Sequence, residues 1–173
     1  MTDKEAQRQR FFVKLDGESK HQKTKLKRAC GKMLNQVDTD TMLAFYQAAP
    51  NNISLWSENR WFLAACVYCL YGEDAKKGEP MPEVFAHYAK VTKATESTQK
   101  RFARLLDTTW DDDGFMASRL VRLIKMLKSK GYVVDADDLL RSLLNWNYDS
   151  RSEQKNWAKR YMDTFENNNQ EDR

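Results

Sequence analysis

Residues that interrupt helices are scarce in this chain. Six glycines and three prolines are spread over 173 positions, and the segments between them place apolar residues every three or four positions. That spacing is the period of an amphipathic helix, and no hairpin signal of the Asn-Gly type breaks it. Phe11, Phe12 and Leu15 share one side of a first segment that stops at Gly17. Ser19 can cap a second, in which Leu26, Ala29, Cys30, Met33, Leu34 and Val37 form one stripe. Asp38 or Thr39 opens a third through Met42, Leu43, Phe45 and Tyr46, closed before Pro50. Residues 56–71 are apolar on most faces, as a buried central helix would be. Residues 72–82 combine glycines, prolines and charges of both signs and predict a loop.

Helical spacing resumes beyond that loop. Val84, Phe85, Tyr88 and Val91 mark a helix over about 81–93, and residues 95–98 offer a cap for one over 99–107. Asp111, Asp112 and Asp113 stand where the positive end of a helix dipole favours acids, ahead of the stripe Met116, Leu120, Leu123, Ile124 and Leu127. Residues 132–134 alone have strand character, which is a connector and no sheet. Asp135 starts a helix carrying Leu139, Leu140, Leu143, Leu144 and Trp146, and Trp157, Tyr161 and Phe165 mark the last. The expected fold is all-α, with about eight or nine helices in two packed bundles. The first bundle spans residues 1–93, the second 94–166, and residues 167–173 form a polar tail.

A hydrophobic fraction of 41% can fill a core. The longest uncharged apolar stretch, about residues 61–72, is shorter than the ~20 residues that cross a bilayer. The N-terminal residues lack the apolar core of a secretion signal, and three cysteines cannot all pair internally. A cytoplasmic protein away from membranes is expected.

Catalytic constellations are hard to assemble. Cys66 and Cys69 have redox-pair spacing, but they lie inside the most apolar helix, where thiols pack as small hydrophobes. His21 and His87 are isolated, so no metal site is expected. The three consecutive aspartates point in different directions and suit a cap better than a metal-assisted nuclease. No Gly-rich phosphate loop is present. The expectation is a protein without catalytic residues, cofactor or small-molecule substrate.

Charge placement is more informative than the formal net charge of +4. Residues 19–37 hold Lys20, Lys23, Lys25, Lys27, Arg28 and Lys32 and no acid. Residues 114–134 hold Arg119, Arg122, Lys125, Lys128 and Lys130 and no acid, with Lys100, Arg101 and Arg104 upstream. Segregation of this kind gives local positive fields on a near-neutral whole. Arg119, Arg122 and Lys125 step along their helix at three-residue spacing, a track that phosphates of a strand can follow. No aromatic is interleaved among those three, which favours backbone contact over base stacking. A solvated helix face, or an acidic protein partner, would suit the same spacing.

The order of motifs adds to this. Leu26-Lys27-Arg28-Ala29-Cys30-Gly31, Ala44-Phe45-Tyr46 and the apolar helix after Glu58 are similar to the small-subunit (CasB) family of the type I-E CRISPR surveillance complex, Cascade. Glu96-Ser97 leading into Lys100-Arg101-Phe102 and Leu105-Leu106-Asp107 continue the resemblance. So do Leu120-Val121-Arg122-Leu123-Ile124-Lys125-Met126-Leu127-Lys128-Ser129-Lys130-Gly131, Val134-Asp135, Leu139-Leu140, Trp146 and Trp157-Ala158. It covers about residues 12–161, and Ala136 departs from it where many members carry Trp.

The resemblance implies a non-catalytic, two-bundle helical protein that sits as a pair of copies along a crRNA-guided complex. It also implies contacts with other Cascade subunits and sequence-independent backbone contacts with crRNA and target DNA, holding the displaced strand of the R-loop. Target sequence in such systems is read by guide pairing. The family's basic surface maps onto Lys27, Arg28, Lys100 and Arg122. With the charge runs, the candidate phosphate contacts are Lys27, Arg28, Lys100, Arg101, Arg104, Arg119, Arg122 and Lys125. The competing reading is a helical adaptor whose basic faces bind acidic proteins.

Overall fold

The computed structural model describes the backbone of residues 1–171 and the side chains of residues 1–167. Among the described residues there are nine α-helices, three short 3-10 turns and no strand. The helices are α1 (Asp3–Asp16), α2 (Lys20–Arg28), α3 (Thr39–Ala48), α4 (Glu58–Tyr71), α5 (Met81–Thr92), α6 (Thr95–Leu106), α7 (Phe115–Ser129), α8 (Ala136–Leu144) and α9 (Ser152–Glu171). None is long and apolar enough to cross a membrane.

Several starts follow from their caps. Ser19 and Gln22 form a reciprocal capping box, the Ser19 hydroxyl accepting from the Gln22 N–H and the Gln22 carbonyl oxygen from the Ser19 N–H. Asp38 accepts from the Thr41 N–H and hydroxyl, and Asp135 from the Asp137 and Asp138 N–H groups. Each satisfies donors that a helix start leaves without partners.

α4 is the axis of the first half. Residues 60–67 are buried without exception, enclosed by α1, α2 and α8. α5 lies along α9, and beside them Phe102, Trp157, Tyr161 and Trp146 interlock, with Phe102 and Tyr161 stacked at 4.7 Å. Burying each such ring stabilises the fold by about 1.5–3 kcal/mol. One apolar core runs through both groups of helices.

The stripe expected through Val37 is cut short. α2 stops at Arg28 because the chain turns at Gly31, whose φ is +101° and whose missing Cβ would lie 3.5 Å from the Val121 side chain. Met33 and Leu34 are buried all the same, because a turn and a 3-10 segment (Leu34–Gln36) deliver them to the core as a helix would have. The expected loop at 72–82 holds a 3-10 turn (Gly72–Lys77) and the start of α5. α6 begins at Thr95, ahead of the expected start.

The connector 132–134 pairs without forming a sheet. The Glu79 N–H donates to the Val133 carbonyl at 3.0 Å, and the Asp135 N–H donates to the Glu79 carbonyl at 2.8 Å. Gly78 permits this approach, since a Cβ there would sit 2.7 Å from the Asp135 nitrogen. Ala136 is buried at the start of α8, beside a cavity of about 140 Å³. α9 runs on to Glu171, into the stretch expected as a polar tail, and Asp172 and Arg173 lie outside the described residues.

Candidate nucleic-acid interface

Met116, Leu120, Ile124 and Leu127 fix the buried side of α7. That anchoring places Phe115, Arg119, Arg122, Leu123 and Met126 along a groove whose other wall is α6, with Arg101 and Arg104. The groove encloses about 480 Å³, and none of the described residues lining it is acidic.

Arg119 is held in place. Its Nη1 donates to the Arg104 carbonyl at 3.2 Å and to the Thr108 hydroxyl at 3.0 Å, and its guanidinium lies 4.9 Å over the Phe115 ring. Arg122 donates to the Ser118 hydroxyl at 3.3 Å, and Arg101 lies 3.1 Å from the Met126 sulfur. Among the described residues none of the four arginines has a carboxylate at ion-pair distance. Among the described residues several N–H donors of these arginines have no hydrogen-bond partner.

The other candidates are elsewhere. Lys125, four residues from Val121, shares the face that meets Gly31. It lies near Cys30, where burial pushes the thiol up to about 11 against the pull of the Lys125 ammonium. The single track of Arg119, Arg122 and Lys125 therefore divides, two residues entering the groove and one standing on the opposite flank. Lys100 is paired with Glu96 at 3.0 Å on the exposed face of α6. Arg28 is exposed at the end of α2.

Lys27 lines a second cleft, of about 800 Å³, with Lys20, Lys23 and Lys76. Acids enter this one. Asp16 and Glu73 line it, Lys76 pairs with Asp16 at 3.1 Å, and the Lys23 ammonium donates to the Asp16 carbonyl at 2.7 Å. Burial opposes ionisation of Asp16, but hydrogen bonds from Tyr68 and Lys76 prevail and hold its carboxyl below the ordinary value. Glu18, near Lys23 and Cys69, is buried with neither carboxylate oxygen bonded. Burial pushes it up to about 7, against the pull of Lys23.

Cys66 and Cys69 are buried free thiols, raised by burial, Cys69 to about 12. Asp113 precedes Gly114, the N-cap of α7, and accepts from the Phe115 N–H at 2.8 Å, while Asp112 accepts from Asn59 and Trp110 and ties the preceding loop to α4. Arg60 is spent inside the fold, buried between the Trp56 and Trp110 rings. Trp56 itself, expected in the core helix, is exposed on a 3-10 turn before α4.

Sequence reasoning missed Phe115. It is 58% exposed and lies among the arginines, so an aromatic is present in the groove after all. The spacing 115, 119, 122, 126 marks one helix face and was the available signal.

Fold and groove together define a small all-helical protein with an arginine-lined surface channel. The family model of the CRISPR-associated protein Cse2 matches residues 22–162. This chain belongs to the CRISPR-associated Cse2 family. Solved structures share its fold throughout. A chain of a CRISPR RNA-guided surveillance complex superposes with a TM-score of 0.79 at 16% identity, over 98% of this chain and 99% of that one. CasB from M. ruber superposes with a TM-score of 0.75 at 18% identity, over 95% and 97%. A Cse2-family protein from Thermus thermophilus does so with a TM-score of 0.74 at 22% identity, over 94% and 99%. No curated protein matches the sequence at a significant level.

Proposed function

We propose that this protein is a non-catalytic small subunit of a crRNA-guided type I-E surveillance complex in the cytoplasm. In that assembly it sits as two copies against other Cascade subunits and binds nucleic acid through its sugar-phosphate backbone. The task is to hold target DNA and the displaced strand of the R-loop, while guide pairing reads sequence. Family membership supports the assembly. The observation that carries the binding is the groove, where Arg101, Arg104, Arg119 and Arg122 converge from two helices with no acid among the described lining residues. Backbone binding of this kind gains affinity by counterion release and needs no base-specific donor. Lys27, Arg28, Lys100 and Lys125, which lie outside the groove, are weaker, separate contacts in this proposal.

Fluorescence anisotropy with mixed-sequence single strands of several lengths tests it. Affinity should rise with strand length and fall linearly in log salt. The slope should shrink by about one for each groove arginine replaced. Binding indifferent to length and salt, or unchanged when Arg119 and Arg122 become Glu, would overturn the groove as the contact surface.

A further inference from the structure

The groove between α6 and α7 carries more than positive charge. Backbone phosphates need only cations, yet Phe115, Leu123 and Met126 also line it. Phe115 is 58% exposed at the first position of α7, and the Arg119 guanidinium lies over its ring at 4.9 Å. Arg119 is fixed from behind by the Arg104 carbonyl and the Thr108 hydroxyl, so ring and guanidinium form a preset pair of planar groups. Met126, an adaptable thioether, borders the same space with Leu123.

We infer that the groove takes a splayed nucleobase of a single strand. In this arrangement the base stacks against Phe115 and Arg119, with its flanking phosphates on Arg101, Arg104 and Arg122. The inference rests on the phosphate-groove reading and deepens it. Every base has a π-face, so stacking adds affinity without reading sequence. Arginine planes stack on rings as well as binding phosphate. The volume of about 480 Å³ falls in the ~300–1,000 Å³ range of small-ligand pockets, so a nucleotide fits where a duplex does not. In a duplex the base faces are covered by their neighbours, and Phe115 has nothing to stack on. The groove therefore prefers single strands to duplex of equal phosphate count.

The test separates stacking from charge. The full-length chain is titrated by anisotropy into an oligothymidine strand, an abasic strand of the same length and a duplex, with polyglutamate as competitor. The wild type should bind oligothymidine about tenfold more tightly than the abasic strand or the duplex. Phe115→Ala should erase that difference and leave the salt slope unchanged, and Phe115→Trp should keep it. Phe115 is exposed, so both variants fold. Equal affinity for oligothymidine and abasic strands, with Phe115→Ala silent, overturns stacking and leaves the phosphate groove standing. Absence of binding to every strand overturns both. Polyglutamate displacing the strand efficiently, with the same dependence on Phe115, assigns the groove to an acidic protein partner and overturns the inference.

Discussion

In the α6–α7 groove four arginines line a channel with no carboxylate among the described lining residues. In the cleft formed by α1, α2, α4 and the turn after α4, Lys20, Lys23, Lys27 and Lys76 stand beside Asp16 and Glu73. Both regions come from acid-free runs of sequence, and their local charge looks alike on paper. The fold treats them differently. It brings Glu73 to the first run from the turn after α4, beside Asp16, which stands just ahead of the run in sequence. To the second it brings Arg101 and Arg104. One run is offset and the other reinforced, so the runs are equal as sequence and unequal as fields.

That inequality is most directly broken by matched charge reversals. Changing Arg119 and Arg122 to Glu should weaken single-strand binding about a thousandfold, since each loses a charge-assisted bond of about 1.5–3 kcal/mol. Changing Lys20 and Lys27 to Glu should cost less than about fivefold, because acids already screen that cleft. Equal losses in anisotropy titrations would show that the two regions form one surface.

Stability separates the regions next. Gly78→Ala forces a Cβ to within 2.7 Å of the Asp135 backbone and should destabilise by about 3 kcal/mol, measured by urea unfolding. The clash displaces the turn bearing Glu73 and Lys76, a wall of the lysine cleft. Strand affinity per folded molecule should stay unchanged, because the α6–α7 groove lies elsewhere. A parallel loss of affinity would tie the groove to that turn.

Glu18 adds a pH dependence to the first region alone. Its carboxyl is raised in the folded state from 4.5 to about 7, so the folded chain holds this proton more tightly than the unfolded one. The stability it contributes is full below about pH 4.5 and is lost as pH rises toward 7, by about 2–3 kcal/mol. Glu18→Gln should flatten that dependence and stabilise the protein at about pH 8 but little at about pH 4. Unfolding midpoints with the same pH profile in both proteins would rule Glu18 out as the source.

Lys100→Ala is expected to do least. The Lys100–Glu96 pair is exposed on both sides and spans one helical turn, so its loss should change stability by less than about 0.5 kcal/mol. Its effect on strand binding should be less than about threefold. A large effect would move the binding path off the groove and along the outer face of α6.

Much of the fold was legible because helix formation and burial are local patterns. The stripe Met116, Leu120, Ile124 and Leu127 set which side of α7 is buried, and the caps at Ser19, Asp38 and Asp135 set where helices start. Arg119 and Arg122 were recognisable for the same reason, as cations off an apolar stripe. Lys125 was not separable from them, because its direction depends on the Val121–Gly31 contact, a meeting of residues far apart in sequence. Phe115 escaped notice because an aromatic at helical spacing normally belongs to the core, and only its exposure reveals otherwise.

The sequence alone determined an all-helical chain, its buried central helix and its two basic runs, since periodicity and charge order are properties of neighbouring residues. Tertiary packing alone decided which run keeps its field. Electrostatic potential sums over whatever the fold brings near, and the residues that offset or reinforce a charge come from other segments of the chain.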